Sequence, residues 1–245
     1  MPQNSSNSEL LVEKKTQYWV LTLNRPDKRN ALSATLVEQL ISTIDDAEQS
    51  QVPMLVFKGA GKNFSAGFDF TGFEEASEGD LLLRFVRIEV LLQKIAYSSC
   101  FTLALAHGAN FGAGVDIIAC CKYRVAAPES RFRMPGLKFG LVLGTGRLAE
   151  LIGSEAARDL LETTRLFNVE EALKNGLITE QVVSDQWCDT INQCLQTATA
   201  LPTYSRHCLY EKTTNQARAD EDMAALARSA ATPGIKERIR AFRNG

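Results

Sequence analysis

The chain has 245 residues, of which 45% are hydrophobic and 23% are charged, and its formal net charge is -2. This composition can bury one full core, so it excludes a disordered or fibrous protein. The near-neutral charge gives no overall attraction to nucleic acid or to an anionic membrane, and no window approaches the roughly 18 continuous apolar residues of a membrane helix. We therefore expect one α/β domain, with or without a small appendage, and neither nucleic acid nor a membrane as a partner.

The cysteines and the first seven residues indicate the cellular compartment of the protein. No two of the six cysteines form a CxxC pair, which argues against a zinc knuckle or a compact disulfide framework. Residues 1–7 are polar and carry no export signal. We expect reduced, mostly buried thiols, no metal site and a cytoplasmic protein.

The first elements along the chain are predicted to be two strands and a helix. Residues 9–14 and 18–23 look like strands, the second rich in β-branched and aromatic residues, and they can form a hairpin. Ser33 can cap a following helix. The apolar residues of that helix share one face, which predicts packing against a sheet: Leu36, Val37, Leu40, Ile41 and Ile44.

Further strands and helices alternate up to about residue 120. Apolar runs at 54–57 and 101–106 predict buried strands, with a helix near 81–96 between them. Such alternation implies right-handed βαβ crossovers and a largely parallel sheet. Ligands of such sheets gather at the loops that leave the carboxyl ends of the strands.

From about residue 145 the pattern becomes helical. Pro233 and Gly234 interrupt it before a last basic helix that contains Lys236 and Arg243, whose cationic face we interpret as solvated surface. The other helices are predicted near 146–152, 154–163, 169–175, 185–200, 204–215 and 220–229.

Two glycine-rich segments follow predicted strands and are the candidates for chemistry. Residues 63–69 read NFSAGFD, and their small side chains let a ligand approach the backbone. Residues 108–116 read GANFGAGVD and open a helix, whose first N–H groups and positive end would point at an anion. Two such donors beside one pocket would form an oxyanion hole.

Together with Arg25, Pro26, Asn30, Ala31 and Leu32 upstream, the order and spacing of these segments resemble the crotonase (enoyl-CoA hydratase/isomerase) superfamily. The likeness runs from about residue 10 to Ala241 and Phe242. It implies an α/β crotonase (ClpP/crotonase-like) fold of repeated ββα units with a helical C-terminal region. It also implies an enzyme that binds an acyl-CoA thioester and stabilises its enolate.

The resemblance implies roles for parts of the chain. Residues 1–190 would form the acyl-CoA-binding core, and 191–245 a helical region for active-site cover and for assembly into a homotrimer or hexamer. The oxyanion donors would be the N–H groups of Phe68 and Ala113, where the family usually has glycine at the second position. CoA would enter only as part of the substrate, with no separate cofactor, and basic side chains such as Lys28 or Arg29 would suit its phosphates. The expected CoA contacts are Lys28, Asn30, Ala31, Ser65, Ala66, Gly67, Asp69 and Phe70.

The catalytic carboxylates depart from the family. The resemblance places one glutamate at Asp116, which is shorter by one methylene, and a second where the dipeptide Pro135-Gly136 stands. A positioned acid or base contributes roughly a hundredfold to ten-thousandfold, so ordinary hydration of a 2-enoyl thioester is not expected to be efficient. The family's isomerases manage with one carboxylate, but theirs usually sits at the position that Gly136 holds here. Asp116 would have to serve from the other side.

Other functions of the same fold stay open. Decarboxylases and hydrolases of acyl-CoA need the oxyanion hole more than the glutamate pair, and a non-catalytic acyl-CoA-binding protein would need neither glutamate. A replacement carboxylate could come from the acidic loop 72–80, although we interpret its charges as surface and helix N-terminal acids.

Two functions outside the family are weaker alternatives. A serine hydrolase could use Ser65, His107 and Asp116, but there is no GxSxG motif and nothing places a base beside Ser65. GANFGAG superficially matches the dinucleotide-binding GxGxxG. That fingerprint needs an acidic residue about 20 positions on, at the end of the next strand, and the stretch there, Ser130 to Met134, has none.

Overall fold

The computed structural model describes residues 8–244, so the polar stretch 1–7 lies outside the described residues. Strands and helices alternate up to about residue 133, and helices dominate after it. Three turns of 3-10 helix, Pro26–Lys28, Gly136–Phe139 and Ser184–Gln186, join longer elements. In chain order the elements are β1 (Leu10–Lys14), β2 (Tyr18–Leu23), α1 (Ala34–Gln49), β3 (Met54–Gly59), α2 (Glu78–Ala96), β4 (Phe101–Ala106), β5 (Ala109–Phe111), α3 (Ala113–Cys120), β6 (Tyr123–Ala126), β7 (Arg131–Arg133), α4 (Thr145–Ile152), α5 (Ser154–Thr163), β8 (Phe167–Asn168), α6 (Val169–Lys174), β9 (Glu180–Gln181), α7 (Trp187–Ala200), α8 (Thr203–Thr213), α9 (Arg218–Ala230) and α10 (Ile235–Asn244).

The main sheet has six strands in the order β1-β2-β3-β4-β6-β9. β1 and β2 form the predicted hairpin, with Leu10 opposite Leu23, and every other neighbouring pair is parallel. The α/β class and the largely parallel sheet are therefore confirmed. A second sheet of three short strands, β5-β7-β8, stands beside the first.

Both faces of the main sheet are covered because its central strands are apolar at successive positions. Leu55 and Phe57 of β3 join the larger core cluster, to which α1 and α2 contribute. Met54 and Val56 point to the opposite face, as alternate strand residues must, and pack with α7 residues that include Cys194. The sheet is thus a rigid middle layer from whose strand ends the loops of the site project.

The starts of α1 and α2 are set by side-chain caps. Ser33 Oγ accepts from the backbone N of Leu36 at 3.0 Å, which confirms the predicted cap of α1. α2 begins at Glu78 rather than near residue 81, because Ser77 and Asp80 form a reciprocal capping box that adds most of a turn.

The C-terminal helices are confirmed within a few residues, with two short strands among them that the hydrophobic pattern did not predict. β8 and β9 have two residues each, which is too short for a periodic signal, and they exist because β7 and β6 offer open edges. β5 was also not predicted, because it lies inside the second glycine-rich segment. α7 begins at Trp187, later than predicted, since a 3-10 turn precedes it.

All six cysteines are unpaired, as expected, and Cys100, Cys120, Cys121 and Cys194 are buried. Within residues 8–244, none of the helices combines the length and the apolar character that crossing a membrane requires.

Candidate active site

The two glycine-rich segments lie side by side and are joined through their backbones. Phe111 N donates to Ser65 O at 2.9 Å, and Ser65 pairs with Asn110 in an isolated bridge. Gly67 has a φ of +81°, and a Cβ there would lie 3.1 Å from the backbone N of Ala113 and would overlap Phe111 O. A glycine is required at this position for both conformation and space. The close approach brings the backbones of Phe68 and Ala113 to one wall.

The N–H groups of Phe68 and Ala113 are available to a ligand. Phe68 follows Gly67 directly, and Ala113 is the first residue of α3, where an N–H has no intrahelical partner. Across residues 8–244, neither group donates to a protein acceptor. Both residues line one cavity, so the structure brings together the two N–H groups that the family resemblance names as oxyanion donors.

The cavity beside these two residues is small and largely apolar. Its volume is about 60 Å³. Asp116 is the only ionisable residue among the described residues that line it, and Thr145 supplies the only other polar side chain. The lining residues are Ala66, Phe68, Phe70, Phe85, Ile88, Gly112, Ala113, Asp116, Met134, Pro135, Gly136, Leu137, Phe139, Leu141, Leu143, Thr145, Leu161 and Phe242.

Asp116 is a buried carboxylate with no partner in the described part of the protein. It lies in the first turn of α3 and is 3% exposed, and none of its oxygens takes part in a hydrogen bond or ion pair there. One oxygen packs against Gly144, whose φ of +62° and lack of a side chain leave room for it. Burial raises the pKa of the Asp116 carboxyl to about 8. Such a group can both accept and return a proton near neutral pH.

A buried ion-pair network explains why nearby Arg147 does not neutralise Asp116. Arg147 Nη2 lies 2.5 Å from Glu89 Oε2, and its Nη1 lies 3.1 Å from Asp222 Oδ2. Glu89 is fully buried, and Gln93 donates to it at 2.9 Å. Arg147 still opposes the rise of the Asp116 pKa, whereas Glu89 and Asp222 add to it. One guanidinium therefore serves two other carboxylates, and Asp116 keeps its proton more readily.

No second carboxylate reaches the cavity from the described residues. Gly136 lines it where the family resemblance places a glutamate. The acidic loop 72–80 does not compensate, since Glu74 pairs with Arg240 at 2.7 Å and Asp80 caps α2, and neither lines the cavity. Asp116 is thus the only carboxylate that the described residues place on the cavity lining.

The residues predicted to contact CoA divide into two groups. Ala66 and Phe70 line the cavity, and Lys28 is exposed in the turn before α1. The second group makes contacts within the protein that hold the segments together. The Asn30 side chain donates to Asn63 O at 2.8 Å and to Ala60 O at 2.9 Å, and Ser65 donates to Asn30 O at 2.8 Å. Asp69 pairs with Arg25 at 2.7 Å, and the carbonyl of the buried Ala31 accepts from Arg25 at 2.6 Å. Contact with CoA stays a prediction for all of them.

The sequence did not indicate the aromatic wall of the cavity. Phe85, Phe139 and Phe242 come from α2, from the turn before α4 and from α10, and the ring centroids of Phe139 and Phe242 are 5.2 Å apart. Thr145 was also missed. These residues are far apart in the chain, and single aromatic or threonine positions carry no motif; the only signal was the likeness of the Ala241 and Phe242 pair.

The geometry removes the serine-hydrolase alternative. Ser65 is fully buried, and its Oγ donates to a backbone carbonyl rather than to a base. The ring of His107 is hydrogen-bonded to Gly61 O at 2.9 Å. Without a histidine on Ser65, there is no activated nucleophile.

Comparisons with known proteins agree on the family. Residues 13–232 match the model of the enoyl-CoA hydratase/isomerase family. The 2,3-dehydroadipyl-CoA hydratase of Escherichia coli is 29% identical over 204 residues, covering 81% of this chain and 77% of that protein. A Bordetella parapertussis crystal structure described as an enoyl-CoA hydratase/isomerase superposes with a TM-score of 0.96, at 52% identity, over 98% of this chain and all of that one. The predicted resemblance and crotonase fold are confirmed.

The raised pKa of Asp116 predicts a pH-dependent loss of stability. The carboxyl ionises near pH 4 in the unfolded chain and at about pH 8 in the folded one, so the folded state binds more protons between these values and its stability falls as the pH rises. Asp116→Asn removes this effect. The free energy of unfolding of this variant minus that of the unsubstituted protein, both measured with urea, should therefore increase from about pH 4 to about pH 8. Above pH 8 the difference should stay constant. The exposed Asp185 gives a control substitution, Asp185→Asn. Parallel curves for both variants would contradict the buried, protonated state.

Proposed function

Since the chain belongs to the enoyl-CoA hydratase/isomerase family, we propose that it moves a proton on the acyl group of an acyl-CoA thioester through an enolate. The observation that carries this proposal is the unpartnered, buried carboxylate of Asp116 in a cavity that two free N–H groups also line. Isomerisation of a 3-enoyl to a 2-enoyl thioester is the reaction that this single carboxylate supports best.

The oxyanion pair would act on the thioester carbonyl. As negative charge builds on that oxygen, the N–H groups of Phe68 and Ala113 donate to it, and the start of α3 adds its positive end. The low polarity of the cavity strengthens both hydrogen bonds. Alanine at 113 keeps the donor that the family draws from glycine.

Asp116 would carry the proton. Its ionised carboxylate takes a proton from C2 of the 3-enoyl thioester, and the electrons of the C2–H bond move toward the carbonyl to form the enolate. The enolate then collapses with a double bond between C2 and C3, and the former C3–C4 π electrons take the proton back from Asp116 at C4. The carboxylate is regenerated, and no other reactant is consumed.

Hydration would need more than this site offers. Adding water across a 2-enoyl thioester in the family's manner uses two carboxylates around the water, and the second position is Gly136. Decarboxylation or hydrolysis of an acyl-CoA, or binding without turnover, would also use the oxyanion pair. No side chain that lines the cavity favours one of these alternatives, and the first experiment below distinguishes them as a group from isomerisation.

The role of Asp116 is tested by incubating a short 3-enoyl-CoA, such as 3-pentenoyl-CoA, with the protein and following the conjugated product by absorbance and mass. Turnover should rise with pH through about 8, because the base must be ionised. Asp116→Asn should reduce it by about a hundredfold to ten-thousandfold. Turnover that survives this substitution would rule Asp116 out. Binding of CoA esters without any turnover would support the alternatives instead.

The oxyanion role of Ala113 is tested by removing its N–H without breaking the helix. Proline is tolerated at the first position of a helix, so Ala113→Pro deletes the donor while α3 can still form. We expect a loss of roughly a hundredfold to a thousandfold in kcat. Ala113→Gly keeps the N–H and is the matched control, for which kcat should change little. Equal losses in both variants, at unchanged circular dichroism, would contradict the backbone role.

A gain of function tests the missing carboxylate. A Cβ at Gly136 would meet only Leu141 O, at 3.3 Å, so a side chain fits there with a small adjustment. Gly136→Glu should raise the hydration of crotonyl-CoA by at least about a hundredfold, whereas the uncharged Gly136→Gln should not. Efficient hydration by the unsubstituted protein, measured in the same assay, would refute the one-carboxylate proposal.

A further inference from the structure

We propose that the acyl group bound in this cavity is a short, uncharged hydrocarbon chain, and that acyl groups ending in a second carboxylate are rejected. This inference rests on the proposed function only in taking the ligand to be an acyl-CoA thioester. It depends on the charges and walls of the cavity and not on which reaction follows.

The cavity offers no positive charge to a second carboxylate. Among the described residues that line it there is no lysine, arginine or histidine. Its one ionisable side chain, Asp116, is an acid, so a second carboxylate would face either a like charge or a protonated carboxyl at best. A carboxylate that enters such a space loses its hydration and gains at most a neutral donor, the protonated Asp116 or Thr145, in place of a cation.

The arginines that lie nearest to the cavity walls are already engaged. Arg147 holds Glu89 and Asp222. The Arg84 guanidinium stacks on the Phe68 ring at 4.3 Å and donates to Asp69 O at 2.5 Å. Neither arginine lines the cavity, and releasing either to meet a ligand would break contacts that are themselves partly buried.

Arg243 also lies near the walls, and it stands outside them. It is exposed, and its guanidinium lies 5.3 Å from the ring centroid of Phe73 and 5.9 Å from that of Phe70. The Phe70 ring is part of the cavity wall, whereas Arg243 is not. The Arg243 guanidinium therefore contributes positive charge outside the cavity and not to its lining.

Fixed aromatic walls limit the length of the acyl chain. The Phe68 and Phe85 rings are 4.5 Å apart, and Phe70 is 6.0 Å from Phe139 and 6.3 Å from Phe242, all between ring centroids. Phe85 and Ile88 of α2 are essentially inaccessible, so they are packed on their far sides as well and cannot swing away at low cost. Because these packed rings line the cavity, a long acyl chain could enter only by displacing them.

A matched pair of saturated thioesters tests the charge without requiring turnover. Pentanoyl-CoA and glutaryl-CoA have the same number of acyl carbons and differ only in a terminal methyl or carboxylate. By titration calorimetry with the unsubstituted protein, glutaryl-CoA should bind about a hundredfold more weakly, or worse. Equal affinities would overturn the rejection of charge. Dodecanoyl-CoA should also bind more weakly than pentanoyl-CoA, and equal binding of that longer chain would overturn the limit on length.

The outcomes separate this inference from the proposed function. Failure of every acyl-CoA to bind would defeat both. Binding of pentanoyl-CoA in preference to glutaryl-CoA, without isomerisation of 3-pentenoyl-CoA, would defeat the reaction alone and leave the ligand class standing.

A substitution that adds a cation provides a second test. Leu137 lines the cavity and is half-buried, so it can be replaced at modest cost. Leu137→Arg should bind glutaryl-CoA at least about tenfold more tightly than the matched control Leu137→Gln does, with no such difference for pentanoyl-CoA. Equal binding of glutaryl-CoA by the two variants would show that a missing cation is not the cause.

Discussion

The close backbone contact between the two glycine-rich segments is the constraint on which the rest of the site depends. Ser65 O accepts from Phe111 N, and the absence of a side chain at Gly67 lets the first segment touch the start of α3. A side chain at Gly114 would likewise collide with Ser65. The sheet holds both segments at the ends of β3 and β4, so two N–H groups from distant parts of the chain meet without a flexible side chain between them.

The same backbone contact sets the burial of Asp116 and, through it, the pKa of its carboxyl. Because α3 starts against the first segment, its first turn is buried, and the Asp116 carboxylate in that turn is almost entirely removed from water. Arg147 is close enough to influence it but is committed to Glu89 and Asp222. The result is a carboxyl with a pKa near 8 beside two unused donors, the combination on which the proposed transfer of one proton rests.

The third component of the site is its apolar wall, which is assembled from elements that are far apart in the chain. α2 supplies Phe85, the turn before α4 supplies Phe139, and α10 closes the set with Phe242. α10 is held there by Arg240, which pairs with Glu74, and by Arg238, which donates to Phe139 O at 3.0 Å. The last helix thus contributes to the cavity as well as to the surface, whereas its basic pattern alone indicates only a solvated face.

Local patterns in the sequence were sufficient for the class of fold, and they named candidate site residues that the structure brings to one cavity. The period of apolar residues in α1, the apolar runs of β3 and β4 and the cap at Ser33 are short-range signals, and the strand-to-helix glycine segments placed Phe68, Ala113, Asp116 and the gap at Gly136 in one family pattern. Only the tertiary structure decided what depends on contacts between distant residues. These are the two-residue strands β8 and β9, the aromatic wall, the engagement of Arg147 and the pKa of Asp116, because burial and pairing are properties of the packed chain and leave no mark on neighbouring positions.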